Sequence, residues 1–169
     1  DTERDHSSFH APDAALNEQQ GMLALVQQAA RIATWDIDYA TGKVTFGAGS
    51  YPVFGHPLEN IPHFGAFKKI LMPEFLPVVA QCMQTAFETG EMVVQEFQVR
   101  AADGSILWLE SRGRAVLKDG VPVSLRGITL DIQERKRGEE ALRLRQAETE
   151  RQRAELETIY KTAPIGLSM

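Results

Sequence analysis

At 169 residues, 43% of them hydrophobic and 24% charged, the chain has material for one full core plus appendages but hardly for two complete domains. Its 18 basic against 23 acidic residues, a net charge of -5, argue against a general nucleic-acid binder. No apolar run approaches the length that crosses a bilayer and no signal-peptide pattern opens the chain, so a soluble protein without membrane contact is expected; the lone Cys82 forbids an internal disulfide and fits a reducing, cytoplasmic compartment.

Residues 1–16, DTERDHSSFHAPDAAL, are polar and aperiodic and read as a flexible lead-in. An amphipathic helix is expected over 17–32: Asn17 can cap it, and Met22, Leu25, Val26, Ala29 and Ile32 recur at helical spacing as an apolar stripe. That stripe must find a partner or fold back on its own sheet. TWDIDY then alternates, with Trp35, Ile37 and Tyr39 on one face and Asp36 and Asp38 on the other, and Thr41–Gly42 turns the chain into the short strand KVTF. The Gly- and Pro-rich stretch that follows predicts short helical turns, clearest over Phe64 to Leu71. After Pro73 a longer helix is expected from Glu74 to about Thr89, with Phe75, Val79, Met83 and Phe87 four apart on one face and Gly90 as its stop. Cys82, inside that apolar pattern, reads as an inert small hydrophobe.

Three strands follow, MVVQEFQVRA, SILWLESRGRAVL and VPVSLRGITLDI, joined at Asp103–Gly104 and Asp119–Gly120. Aspartyl-glycine supplies the positive φ angles of tight hairpins, so an antiparallel meander is expected. The whole order predicts an α+β fold: a five-stranded antiparallel sheet with the middle helices on one face, the other face meeting the leading helix, a partner or water. The last strand then runs straight into charge, GITLDIQERKRGEE from Gly127, with no Gly or Pro at the crossing. A connector helix is expected over 133–157. Leu142, Thr149, Leu156 and Ala163 form one seam position and Gly138, Arg145, Gln152 and Ile159 the other, with Arg145, Thr149 and Gln152 weakening the middle. Such a helix is either solvated and single or a marginal parallel two-stranded coil roughly 40 Å long.

TWDIDYATGKVTF, MPEF and DGSILWLESRGRAVLKDGVPVSLRGITLDIQERK resemble successive segments of the PAS sensory domains of bacterial signalling proteins. The likeness covers roughly residues 22–137, and its last block is the most specific part. It implies a PAS fold with a core over 33–132, an N-terminal capping helix and a long C-terminal coiled-coil helix. It also implies that the final strand passes its motion into an output helix, with Asp131 tying the strand end to the helix start and Gln133 standing where the family usually has Thr. A carboxylate there also suits the unpaired N–H groups and dipole of a helix start. LETIYKTAPIGLSM resembles the entry to a second PAS domain, so 158–169 is expected to begin one. The function implied is a sensor and dimerisation module regulating a downstream output, a histidine kinase first and a diguanylate cyclase or phosphodiesterase next. The alternative is a structural dimerisation spacer binding no ligand. The homodimer would form through the leading helix, at Met22, Leu25, Val26 and Ala29, and through the connector, at Leu142, Leu156 and Ile159.

The sequence holds no P-loop, GxSxG, paired cysteines or HExxH, and His6, His10, His56 and His63 lack metal-ligand spacing, so neither catalysis nor a metal is expected. By resemblance, haem-binding members use a His on the long middle helix, and Glu74–Thr89 contains none. Blue-light members use a Cys in an Asn-Cys-Arg context just before that helix, whereas Cys82 lies within it. Haem and covalent-adduct flavin are therefore disfavoured, which leaves noncovalent flavin, a small apolar or amphipathic ligand, or none. Candidates for a pocket lining are Phe54, Phe67, Leu71, Phe75, Val79, Met83, Phe97, Val99, Leu107 and Leu109. Each such side chain contributes roughly 1.5–3 kcal/mol to folding when buried, so a packed core explains all of them without a ligand. Trp35 and Trp108 read as structural first. Met72 and Phe75, in place of the family's usual His and Asp, are expected to make the cavity mouth more apolar.

Overall fold

The computed structural model describes residues 6–162, the first eight of them as backbone alone. The chain falls into two units, Asp1–Ile132 and Gln133–Met169. Helix α1 (His6–Ala30) is longer than the sequence predicts. Residues 6–16 belong to it rather than to a flexible lead-in, and Asn17 lies inside it rather than capping it. Ala14, Ala15 and Leu16 are strong helix formers that carry the helix through Asn17, and an interior Asn costs only a fraction of a kcal/mol, about 0.7 at most. The helix stops at Ala30 because Arg31 takes a φ of 54°, a left-handed turn that feeds β1 (Ile32–Asp38). Ile32 therefore opens a strand, paired with Leu130, instead of closing the helical stripe.

Helix α1 docks on the rest of the first unit by its small and polar side. Ala24 is half-buried, Gln27 is buried, and Gln28 Nε2 donates to the Gly49 carbonyl at 2.8 Å. The apolar stripe of Met22, Leu25, Val26 and Ala29 faces outward; Met22 and Leu25 are 62% and 63% exposed. It does not fold back on its own sheet.

Strands β2 (Val44–Phe46), β3 (Val93–Arg100), β4 (Ile106–Lys118) and β5 (Val121–Asp131) complete a sheet ordered β2-β1-β5-β4-β3, antiparallel at every neighbour. Local chemistry sets the turns. Asp38 Oδ1 accepts from the Ala40 and Thr41 N–H groups and the Thr41 hydroxyl at 2.9–3.0 Å, closing the first hairpin. Asp119 and Gly120, with φ of 52° and 78°, make the tight primed turn expected of aspartyl-glycine. Asp103–Gly104 differs: only Gly104 is at positive φ. Asp103 Oδ1 accepts from the Ser105 N–H and hydroxyl, and Ala101 N–H donates to the Ser105 carbonyl, so this hairpin has a longer loop. Pro122, which brings no N–H to the ladder, stands opposite Leu117, next to the register shift between Val116 and Leu117.

Helices α2 (Phe64–Ile70) and α3 (Leu76–Thr89) cover the inner face of the sheet. His63 caps α2, its Nδ1 accepting from the Ala66 N–H at 3.0 Å. The helix predicted from Glu74 is split: Pro73–Phe75 forms a 3-10 turn and α3 starts at Leu76. Pro77 enforces the start, since a ring without an N–H is tolerated only in a helix's first turn. Gly90, at φ 69°, stops α3 as predicted. Between helices and sheet lies a continuous core that includes Phe54, Leu71, Phe97, Val99 and Leu109.

The described part of the second unit is helix α4 (Gln133–Thr162), which Ile132 alone separates from the end of β5. Leu142, Leu156 and Ile159 are all exposed along it. It continues past residue 157; Ala163 and the rest of the segment read as the start of a second domain lie outside the described residues. Among the described residues no helix is long and apolar enough to cross a membrane.

Candidate functional site

The site is built on the glycines of the RGR and RGI segments. Gly113 of β4 and Gly127 of β5 are register partners, and the Trp35 indole of β1 lies against both. A Cβ at Gly113 would stand 2.8 Å from Trp35 Cη2; one at Gly127 would stand 2.8 Å from Trp35 Cζ2 and collide with the Arg112 carbonyl. Only a strip without side chains lets the indole lie this close to the sheet. There its Nε1–H donates to Thr129 Oγ1 at 2.8 Å, and Thr129, fully buried, shares a 2.7 Å hydrogen bond with Ser111 Oγ.

Beside this polar cluster a cavity of about 80 Å³ separates α2 and α3 from the sheet. Trp35, Ile37, Phe46 and Leu125 line it from the strands, with Gln95, Phe97 and Ser111; Phe64, Phe67, Val79, Cys82 and Met83 close it from the helices. Every lining residue is uncharged. Burial pushes the Cys82 thiol above its ordinary pKa, so at neutral pH it is the protonated form, a poor nucleophile.

Of the residues singled out from sequence, Phe67, Val79, Met83 and Phe97 line the cavity. Phe54, Leu71, Val99 and Leu109 are buried in the continuous core, and Phe75 and Leu107 pack against it. Leu71 bridges Val99 backbone to backbone, which seals that end of the sheet. Phe75 stacks edge-on against Trp108 with ring centroids 5.6 Å apart, and neither it nor Met72 reaches the lining, so these two do not set the polarity of the mouth. Ile37, Phe46, Phe64, Gln95, Ser111 and Leu125 also line the cavity, beyond the residues expected from the sequence. The signal for Ile37 was present, since it alternates with Asp36 and Asp38 on the face of Trp35. Ser111 and Gln95 carried none, being polar residues at inward positions of strands that otherwise look filled.

The exit of β5 is tied on both sides. Asp131 Oδ2 lies 3.6 Å from Arg31 Nη1, and its N–H donates to the Arg31 carbonyl. Ile132, buried, donates its N–H to the Trp108 carbonyl at 3.1 Å. Gln133 is the first residue of α4. On the outer face Asp36 pairs with Arg126 at 2.9 Å across the strands, a surface role rather than an acid pair with Asp38.

Residues 43–129 match the family model described as the PAS fold. The chain is 27% identical over 117 residues to a blue-light-activated histidine kinase of Brucella anthropi, covering 69% of this chain and 23% of that protein. It is 29% identical, over the same shares, to the protein of that description in Brucella ovis. The chain thus spans about a quarter of the length of the curated relatives it matches. Among solved structures, a sensory box histidine kinase/response regulator from Burkholderia thailandensis gives a TM-score of 0.63 at 25% identity, covering 76% of this chain and 98% of that one. The N-terminal domain of a diguanylate cyclase with PAS/PAC sensor from Marinobacter aquaeolei shares the fold at a TM-score of 0.56 and 20% identity, over 62% of this chain and 98% of that one. The family model takes in about half of the chain and the solved domains share its sheet and helices: the chain belongs to the PAS fold family.

Proposed function

We propose that the chain is the sensor and dimerisation module of a bacterial signalling receptor. A small apolar or amphipathic molecule in the cavity biases β5, β5 biases α4, and α4 regulates an output domain, a sensor histidine kinase. One observation carries the reading: Ser111, in the cavity wall, is hydrogen-bonded to Thr129 of β5, and Ile132 alone separates the end of β5 from the start of α4. The kinase output rests on the relatives, whose names are those of histidine kinases. Dimerisation rests on the outward stripe of α1 and on exposed Leu142, Leu156 and Ile159, apolar groups at helical spacing that a second copy would cover.

The names of those relatives also raise a flavin as occupant, and the residues present do not fit one. Pockets for molecules of that size run to about 300 Å³ or more. This cavity is about 80 Å³. A flavin's polar edge needs a row of donors and acceptors, against which the wall sets one hydroxyl, one amide and one thiol. Haem fits no better: α3 carries no His, His63 is engaged as a cap, and His56 Nε2 meets the Arg100 carbonyl at 2.8 Å.

Filling the cavity tests the proposal. In the full-length receptor, Val79→Phe is expected to hold autophosphorylation at one level whatever small molecule is added, while the melting transition stays cooperative. Regulation that survives the filled cavity removes it from the signal route and leaves the spacer reading.

A further inference from the structure

We infer that the cavity selects a compact uncharged alcohol, whose hydroxyl accepts from Ser111 and donates to Gln95. The inference rests on the sensor reading above and specifies its ligand.

The direction of each hydrogen bond follows from what the groups can do. An indole N–H only donates, so Thr129 Oγ1, 2.8 Å from Trp35 Nε1, accepts from it. Thr129 is fully buried, and among the described residues Ser111 Oγ, at 2.7 Å, is the acceptor its own hydroxyl reaches. A buried hydroxyl left without an acceptor is costly, so Thr129 donates to Ser111. Ser111 then has its proton left over, and Ser111 lines the cavity.

Gln95 supplies the complement. One end of its amide lies 2.7 Å from the Glu96 carbonyl, and the atom beside a carbonyl must be the nitrogen. Its Oε1 is the acceptor that remains, on another residue of the same wall. Gln95 and Ser111 are direct cross-strand partners in the β3–β4 register. That places their Cβ atoms about 5 Å apart, within reach of one small guest for both side chains. A hydroxyl answers both from a single oxygen.

The remaining wall fixes size and charge. Trp35, Phe64, Phe67, Phe97 and Leu125 offer carbon only, and with no charged lining residue an ionised guest would be desolvated without a counter-charge. A cavity of about 80 Å³ is about half of the roughly 150 Å³ that houses the six heavy atoms of benzene, which sets a guest of about three or four heavy atoms.

Three probes of one size decide the matter by NMR titration of the chain: 1-propanol, 1-chloropropane, which lacks the hydroxyl, and acetate, which is charged. 1-Propanol is expected to bind about three- to tenfold more tightly than 1-chloropropane, as one or two modest hydrogen bonds allow, and acetate to leave the cavity resonances unmoved. In Ser111→Ala and in Gln95→Met the preference should disappear or reverse, because a wall of carbon favours the less hydrated chloride. Gln95→Met leaves the Trp35–Thr129–Ser111 cluster intact, so the test survives if Ser111→Ala fails to fold. A wild-type preference for 1-chloropropane, or an alcohol preference that both variants retain, overturns the hydroxyl pair while the cavity remains a ligand site. If no probe moves the cavity resonances, the sensor reading of the cavity falls with it.

Discussion

Gly127 shows how a single missing methyl group shapes this protein. With hydrogen as its side chain, Trp35 lies on the strand pair and reaches Thr129; a methyl group there meets both the indole and a backbone carbonyl that cannot move alone. Gly127→Ala is therefore expected to cost at least as much as ordinary overpacking, about 1–3 kcal/mol, read as a lower urea midpoint with an unchanged slope. Asp38 acts through charge. Hydrogen bonds from Thr41, its backbone N–H first and its hydroxyl next, hold the Asp38 carboxyl below its ordinary value, with the Ala40 N–H and Lys43 adding to them. A carboxyl lowered by folding contributes stability that is present above the unfolded value, near pH 4, and is lost as pH falls through the folded one. The difference in melting temperature between the wild type and Asp38→Ala should accordingly be largest near neutrality and shrink in acid below about pH 4. A difference that stays constant with pH would assign the effect to the turn's shape and not to its charge.

At the scale of elements, the two long helices pose the same question with different sequences. Helix α1 carries Met22, Leu25, Val26 and Ala29 as a continuous outward stripe, whereas the seam of α4 is interrupted by Arg145, Thr149 and Gln152 between its apolar ends. Met22→Asp with Val26→Asp is expected to weaken self-association strongly in sedimentation velocity, and Leu142→Asp with Leu156→Asp to weaken it less. Association insensitive to the second pair would make α4 a solvated single helix in this chain. Helical and strand periods were legible for the five strands, for α3, α4 and the second half of α1, because each is set by residues a few positions apart; residues 6–16 of α1 carried no such period. Boundaries were less so. Asn17 looks like a cap but lies within a run of helix formers, and the start of α3 at Leu76 depends on Pro77 and not on Glu74.

For the molecule as a whole, the antiparallel meander and its helical cover followed from turn chemistry and alternation, and the closing block carried the resemblance to the family. The cavity did not follow. Ten apolar residues qualified equally as core or lining by hydrophobicity alone, and four of them line the cavity. What divides them is where along the sheet the helices press down. Leu71 meets Val99 at one end and leaves no space, while Phe67, Val79 and Met83 stand off from Trp35 and Leu125 and leave some. The polar pair at Gln95 and Ser111 was hidden for the same reason, since its members are far apart in the chain and adjacent only through strand register. The sequence by itself determined which segments form helices, strands and turns, because those choices are settled by neighbours along the backbone. Only the tertiary structure decided which inward side chains close on one another, which enclose a space, and which way α1 turns its stripe. Those outcomes depend on packing between segments that meet after the chain has folded.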